Sequence, residues 1–157
     1  MTKRTVTKTD IIGAIFRDFY DTAKGVTSVT LADASTSTIV TYTASFPDKT
    51  ATSRSSYPIL IVTPPEIDWS YFTLNKTKAS GSIDIEIYTT KSESADLFAD
   101  AIQTIIETNK RTLREYGILD LTLSSISPGE DFHGDIKLHI RTLTFTFGFI
   151  FDKTRGY

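Results

Sequence analysis

SESADLFADAIQTIIETNKRTLREYG, residues 92–117, is the stretch of the sequence that decides the fold. Its apolar residues recur at spacings of three and four, which predicts an amphipathic helix whose apolar stripe faces the core. The stripe consists of Leu97, Phe98, Ala101, Ile102, Ile105 and Ile106. Ser92 and Ser94 are residues of the type that caps a helix N-terminus, and Gly117 is a natural stop. Asn109 predicts a break that makes the last turns a separate short helix.

Strand-like segments flank this helix on both sides. Ser82–Thr90 precedes the helix and Ile118–Ser125 follows it, and apolar residues alternate with polar ones in each segment. Such alternation is typical of a half-buried strand. The three segments therefore predict a strand–helix–strand unit in which the helix buries its stripe on a sheet.

Composition limits the function classes. The chain has 157 residues, enough for one domain with a real core, and a formal net charge of −2. A strongly basic balance, typical of general nucleic-acid binding, is missing. There is no cysteine, which excludes disulfides, thiol catalysis and cysteine-ligated metals. No apolar run reaches membrane-spanning length, and we expect no signal peptide in Met1–Thr9, which lacks a hydrophobic segment.

The first part of the chain predicts a helix and a hairpin. An amphipathic helix begins at Thr9 or Asp10 and ends near Ala23, and its apolar face is expected to pack on the core. Residues 26–46 predict two strands, Thr27–Ala32 and Thr38–Ser45, joined by a polar turn. This hairpin has few apolar residues, so it either packs edge-on to the sheet or, as we expect, projects to a partner.

Two segments follow the hairpin. Tyr57–Thr63 is a continuous apolar run ended by two prolines, which predicts a strand buried on both faces. Glu66–Lys78 contains Trp69, Tyr71 and Phe72 among polar residues. We interpret it as a connection whose aromatic side chains cover the core, and the alternative is an aromatic docking patch.

The last strand-like segment, Asp135–Phe151, has an inverted alternation. Its apolar residues occupy even positions up to Ile140 and odd positions from Leu143 onward. A strand with this pattern needs a bulge or bend near Arg141–Leu143, or a change of packing partner there. His139 lies between Leu138 and Ile140 and alternates with Lys137 and Arg141, so it is expected to face solvent or a subunit boundary.

Chemical motifs are scarce. The sequence contains no phosphate-binding loop, dinucleotide fingerprint or nucleophile elbow. A turn at Ser127–Gly129 and an acidic loop at Glu130–Asp135 are predicted before the last strand. Glu130, Asp131, His133 and Asp135 could hold a divalent cation, but a solvated acidic turn is the more common structure for such residues. We expect no enzymatic activity, no cofactor and no metal.

The predicted fold class is α+β. A mixed, mostly antiparallel sheet carries two amphipathic helices on it, and the hairpin of residues 26–46 projects from it. Residues 1–157 form a single domain, with an N-terminal arm at residues 1–9 and a C-terminal tail at residues 152–157.

The order of elements over residues 10–151 resembles that of a virus protein family. It runs from an amphipathic helix through a polar hairpin, the strand YPILIV (57–62), an alternating strand and a long helix to a closing strand containing KLHIRTLTFTF (137–147). This layout is similar to the tail terminator and tail-completion, or head–tail joining, proteins of long-tailed bacteriophages. The resemblance implies a non-enzymatic virion protein that is made in the host cytoplasm and forms a ring, usually hexameric.

The resemblance also implies partners. Such a ring would cap the tail tube and join it to neck and connector proteins, and DNA would pass through its lumen without specific binding. No membrane is involved. We expect contacts with neighbouring molecules at Val29, Leu31, Val40, Tyr42, Trp69, His139 and Arg141.

Three alternatives stay open at this point. The chain could be another neck adaptor, such as a head–tail connector, or a small non-enzymatic binding module, since α+β sheets serve many functions. A small enzyme with an acidic site at Glu130–Asp135 is the third. Particle mass separates a virion protein, which would form a ring-sized assembly, from a monomeric binding module, and metal-dependent turnover would indicate the enzyme.

Overall fold

The computed structural model describes residues 11–45, 54–71 and 76–152. Residues 1–9 of the predicted arm and residues 153–157 of the predicted tail lie outside this part of the chain. The helices are α1 (Ile11–Ala23), α2 (Ser92–Thr108) and α3 (Lys110–Glu115), with a 3-10 turn at Arg54–Ser56. The strands are β1 (Ser28–Thr30), β2 (Thr36–Thr38), β3 (Thr41–Thr43), β4 (Ile59–Val62), β5 (Glu66–Tyr71), β6 (Lys76–Thr89), β7 (Ile118–His133) and β8 (Ile136–Asp152).

The main sheet has the order β3-β4-β6-β8-β7, and β5 also pairs with β6. Only the β3–β4 pair is parallel among the described pairs, so the sheet is mixed and mostly antiparallel. The predicted α+β class is confirmed. Strands β1 and β2 form a separate two-stranded antiparallel sheet.

The helices α1 and α2 pack on one face of the main sheet. The principal core there combines Phe98, Ile102 and Ile106 of α2 with alternate residues of the strands, such as Ile85 and Phe145. Phe19 of α1 brings its ring within 6.3 Å of Phe145 and 5.7 Å of Phe147, measured between ring centroids. The predicted stripe is thus core-facing, although Leu97, Ala101 and Ile105 lie at its half-buried margin.

The ends of α2 agree with the sequence only in part. The predicted break at Asn109 is confirmed, because Asn109 ends α2 and precedes α3. Its side-chain amide donates a hydrogen bond to the Ile105 carbonyl at 2.9 Å. The predicted serine cap is wrong: Lys91 occupies the N-cap position, and no side chain caps the helix.

A smaller apolar cluster lies on the opposite face of the sheet and explains the inverted alternation of the last strand. It contains Tyr57, Ile59, Ile61, Ile136 and Leu138, with Tyr88 packed against it. The even residues at the start of β8 therefore join this cluster, while the odd residues from Leu143 onward join the principal core. A change of packing partner, one of the predicted possibilities, causes the inversion.

The predicted bulge near Arg141–Leu143 is wrong. Pairing between β6 and β8 runs without a register shift from Lys76 opposite Asp152 to Thr89 opposite His139. The irregularities lie in β7 instead, between Leu119 and Thr122 and between Leu123 and Ser125. Because β7 is the edge strand, it can carry bulges without interrupting the centre of the sheet.

Two segments predicted as loops are strands. The expected turn and acidic loop at residues 127–135 belong mostly to β7, and the chain reverses only at Gly134 and Asp135. Gly134 has a φ of 64°, which suits a two-residue hairpin turn. The expected connection Glu66–Lys78 contains β5 and the start of β6, which pair antiparallel.

Strands β4 and β5 lie end to end along β6. Val62 faces Ile85 and Glu66 faces Ser82, so the two strands differ by one residue in register. Pro64 and Pro65, which cannot donate backbone hydrogen bonds, separate them. Strand β6 approaches the start of β5 closely at Gly81. A Cβ added to Gly81 would lie only 2.2 Å from the Glu66 carbonyl oxygen.

The predicted hairpin of residues 26–46 is also revised. Its first arm and turn form β1 and β2, but the second predicted strand divides, and β3 joins the main sheet beside β4. The reason is that Ile39, which lies between β2 and β3 in the sequence, is buried in the principal core and brings the chain back to the main sheet.

The three long strands extend beyond the helix layer. With 14, 17 and 16 residues, β6, β8 and β7 span roughly 45–55 Å at about 3.3 Å per residue. Helix α2 has 17 residues and spans only about 26 Å. The helices therefore cover about half of the strand length, and the β7–β8 hairpin continues past the last β6 pair at Thr89.

Replacing Ile102 by alanine should lower the free energy of unfolding by about 2–5 kcal/mol, because the side chain is fully buried between α2 and the sheet. Chemical denaturation monitored by circular dichroism measures this change. Thr104→Ala, on the exposed side of the same helix, is the control and should change stability by under about 0.5 kcal/mol. An unchanged unfolding midpoint for Ile102→Ala would show that α2 is not part of the core.

Gly81→Ala should destabilise the protein by about 1–3 kcal/mol, because its Cβ would overlap the Glu66 carbonyl oxygen and push β5 away. Gly129→Ala in β7 is the matched control, since its Cβ would lie 3.7 Å from the nearest atom, Ile140 Cβ. Equal effects of the two substitutions on thermal stability would contradict the close β5–β6 approach.

Candidate assembly interface

The hairpin β1–β2 is tied to the first turn of α2. The Ala32 backbone N–H donates a hydrogen bond to Glu93 Oε1 at 2.6 Å. The Asp33 carboxylate accepts hydrogen bonds from the Ser35 hydroxyl and from the Ser35 backbone N–H, which hold the turn and lower the pKa of Asp33. The hairpin thus leans on the helix layer and does not project freely, contrary to the sequence-based prediction.

The four interface residues predicted in this region have different environments. Leu31 is only 6% exposed, so little of its side chain is available for a contact with another molecule. Val29 is half-buried against the principal core. Val40 is 54% exposed, although its backbone N–H donates to the Pro58 carbonyl at 2.9 Å. Of these residues, Val40 has the largest exposed fraction.

Tyr42 is bound to α1 and to the segment that follows it. Its hydroxyl donates to the Val26 carbonyl, and the Tyr20 hydroxyl donates to the Tyr42 carbonyl at 3.2 Å. Burial, with a smaller contribution from Tyr20, raises the pKa of Tyr42 above its ordinary value. The predicted contact residue Tyr42 therefore serves the packing of β3 on α1.

Arg141 connects β8 to the start of α2. Its Nε donates to Asp96 Oδ1 at 2.8 Å, its Nη2 lies 3.4 Å from Ser92 Oγ, and its Nη1 donates to the Ile140 carbonyl at 2.9 Å. Only 14% of the side chain is exposed. Arg141 was predicted as an interface residue, and in the structure its guanidinium bonds to Asp96, Ser92 and Ile140 of its own chain.

His139 lies next to Arg141 on the same face of the sheet, beyond the end of the helix layer. Its Nδ1 is 3.7 Å from Glu130 Oε1, and Lys137 Nζ is 3.3 Å from Glu130 Oε2. These three charged or titratable side chains form a polar surface on the projecting part of β7 and β8. The seventh predicted contact residue, Trp69, lies in β5 opposite Ala79, and its side chain is outside the described residues.

The tip of the β7–β8 hairpin carries an exposed aromatic residue that the sequence reasoning missed. Phe132 is 65% exposed, more than any other large apolar side chain in the described part of the chain. It was overlooked because residues 130–135 were interpreted as an acidic loop. The signal was present, since a lone phenylalanine among acidic residues beside a glycine turn has no local core to join.

A cleft lies at the other end of β7, between that strand and α2. It has a volume of about 250 Å³ and is lined by polar side chains from α2, α3 and β7, while most of its apolar lining residues are almost fully buried. The lining residues are Gln103, Ile106, Glu107, Lys110, Leu121, Thr122, Leu123 and Phe145.

The face of the sheet opposite the helices is polar along its centre. Asp84 faces Thr144, and Glu86 faces Thr142, across the β6–β8 pair. The Thr144 hydroxyl donates to Asp84 Oδ1 at 2.7 Å. The Tyr88 hydroxyl donates to Glu86 Oε2 at 2.8 Å, and burial together with this bond raises the pKa of Tyr88. This central strip offers hydroxyl and carboxylate groups and no cation.

The acidic residues near the hairpin tip do not form a metal site. Strand alternation places Glu130 and Asp131 on opposite faces of β7. Within residues 11–45, 54–71 and 76–152, no group of three or more metal-ligating side chains lies close enough to hold an ion. In the same ranges, no helix is long and apolar enough to cross a membrane.

No protein-family model matches the chain, and no curated protein shows significant similarity to it.

The hydrogen bonds of Arg141 predict that substitutions of Arg141 and of its partner Asp96 have unequal effects on stability. Arg141→Met should cost more stability than Asp96→Asn, because the arginine also contacts Ser92 and the Ile140 carbonyl, whereas Asp96 is 66% exposed. The coupling between the two in a double-mutant cycle should be about 0.2–1 kcal/mol, the range of exposed ion pairs. An Asp96→Asn effect equal to that of Arg141→Met would contradict this account.

Proposed function

We propose that this chain is a structural virion protein that forms a ring, most simply a hexamer, at the junction of a phage tail tube and the neck. The observation that carries the proposal is the extension of β7 and β8 beyond the helix layer, which gives each subunit an arm. The layout of elements, which resembles that of tail terminators, supports the same assignment.

The projecting arm suggests contacts between copies. The β7–β8 hairpin presents the open backbone edge of β7 and, at its tip, an exposed Phe132. Exposed strand edges and apolar tips favour association with other chains. A closed ring satisfies such surfaces without open-ended growth.

The polar face of the sheet suits the wall of a DNA passage. Its central strip consists of Asp84 and Glu86 of β6, Thr142, Thr144 and Thr146 of β8, and Ser125 and Ser127 of β7. Since these side chains carry no positive charge, they neutralise no phosphates and release no counterions. DNA would pass such a wall without being held by it.

The proposed partners follow from this position. One rim of the ring would contact the tail tube protein, and the other would contact neck or connector proteins. Another neck adaptor with the same ring architecture is the nearest alternative.

The mass of the purified protein tests ring formation. Native mass spectrometry should show a closed oligomer, with six copies expected, and electron microscopy should show a ring with a central hole. A strictly monomeric protein at micromolar concentration would contradict the proposal.

The position of the polar face is tested inside the particle, and the absence of cysteine makes single-cysteine labelling clean. Thr146→Cys lies on the proposed lumen wall, and Thr104→Cys on α2 is an equally exposed threonine on the helix side. A photo-crosslinker attached at position 146 should join the subunit to genomic DNA, whereas the same reagent at position 104 should not. Reversed labelling would place the helices, and not the sheet, in the lumen.

A further inference from the structure

We propose that a cavity at the N-terminal end of α2 binds a carboxylate group, carried either by a free organic acid or by an acidic side chain of a neighbouring protein. This inference goes beyond the proposed function and does not depend on ring formation. It rests on the first turn of α2 and on the segments that surround it.

The cavity is polar. It has a volume of about 230 Å³ and lies between the β1–β2 hairpin, the residues just before β4 and the start of α2. Most of the residues that line it carry a hydroxyl group, among them Ser37, Thr90 and Ser94. Among the described residues of its lining, Lys91 is the only charged one, so the lining has one cation and no carboxylate.

Ser94 has a buried hydroxyl group without a partner. The residue is 2% exposed and lines the cavity. Its hydroxyl makes no hydrogen bond within residues 11–45, 54–71 and 76–152. By contrast, the buried hydroxyl of Thr89 donates to the Lys91 carbonyl at 2.6 Å. An unpaired buried hydroxyl costs free energy, and a ligand in the cavity would complete the bonding of Ser94.

The start of α2 supplies backbone donors beside this hydroxyl. The first helical bond runs from the Ala95 N–H to the Lys91 carbonyl at 3.2 Å, so the N–H groups of residues 92–94 have no partner within the helix. No side chain caps them. Glu93, the acidic residue of the first turn, accepts instead from the Ala32 N–H. The helix dipole and Lys91 therefore both favour a negatively charged ligand here.

The surrounding charges favour a ligand group with one negative charge. Lys91 is opposed by Asp33 in the β1–β2 turn and by Glu93 on α2, which lie on the two segments that border the cavity. A phosphate group carries roughly 1.5–2 negative charges at neutral pH, and these carboxylates would repel it. A carboxylate carries one charge, and its two oxygens can accept bonds from Ser94, from backbone N–H groups and from Lys91.

Acetate is the probe for the first test. Isothermal titration calorimetry of the full chain should show one acetate bound per chain, and inorganic phosphate at the same ionic strength should bind at least about tenfold more weakly. Lys91→Met should raise the Kd of acetate about tenfold, a loss of roughly 1.4 kcal/mol. Lys110→Met on α3 is the matched control, because it removes an equal charge outside the cavity.

Ser94→Ala should change stability and binding in opposite directions. In the absence of acetate it should raise the unfolding temperature by about 2–4 °C, because it removes an unpaired buried hydroxyl. It should also raise the Kd of acetate about tenfold. Thr89→Val is the comparison, since that hydroxyl is equally buried but bonded, and its loss should lower the unfolding temperature. Lower stability of Ser94→Ala with unchanged acetate binding would overturn the proposal.

Comparison of assembled and dissociated chains identifies the source of the carboxylate. A free acid should bind both forms alike. A side chain of a neighbour should instead block acetate in the assembled form, and Lys91→Met should then weaken assembly.

The remaining outcomes separate this site from the proposed function. Tighter binding of phosphate than of acetate, or no binding of acetate to dissociated chains, would overturn the carboxylate site and leave the ring standing. A strictly monomeric protein that binds acetate through Ser94 and Lys91 would support the site and contradict the ring.

Discussion

The uninterrupted pairing of β6 with β8 is the constraint on which the rest of the structure depends. It runs from Lys76 opposite Asp152 to Thr89 opposite His139 without a change of register. Both strands are longer than helix α2, and the other elements are arranged along the ladder that they form. β4 and β5 divide one side of it between them, and β7 follows the other side.

A single long ladder has two faces, and the chain uses them differently along its length. The helices cover one face, where Ile85, Leu143 and Phe145 form the principal core with α1 and α2. At the end near Leu138 the other face becomes apolar and packs with Ile59 and Ile61. Along the centre of the sheet this second face is polar, and it forms a strip lined with hydroxyl and carboxylate groups.

The mismatch between strand length and helix length connects the fold with the proposed assembly. Helix α2 ends its cover near Arg141, whose guanidinium reaches Asp96 and Ser92 on the first turns of the helix. Beyond this contact β6 pairs with β8 only as far as His139, and the last residues of the β7–β8 hairpin pack on Ile59 and Ile61 on the opposite face of the sheet, with Phe132 exposed at the tip.

Local periodicity was enough to predict the two amphipathic helices, the break at Asn109, the doubly buried β4 and the α+β class. Tertiary packing determined how Asp135–Phe151 changes its packing face, because the same alternation arises from a bulge in the strand or from a second core. It also assigned Leu31, Tyr42 and Arg141 to contacts within the chain. These outcomes depend on neighbours distant in sequence, as the pairing of Tyr42 with Leu60 does, and no local pattern encodes such neighbours.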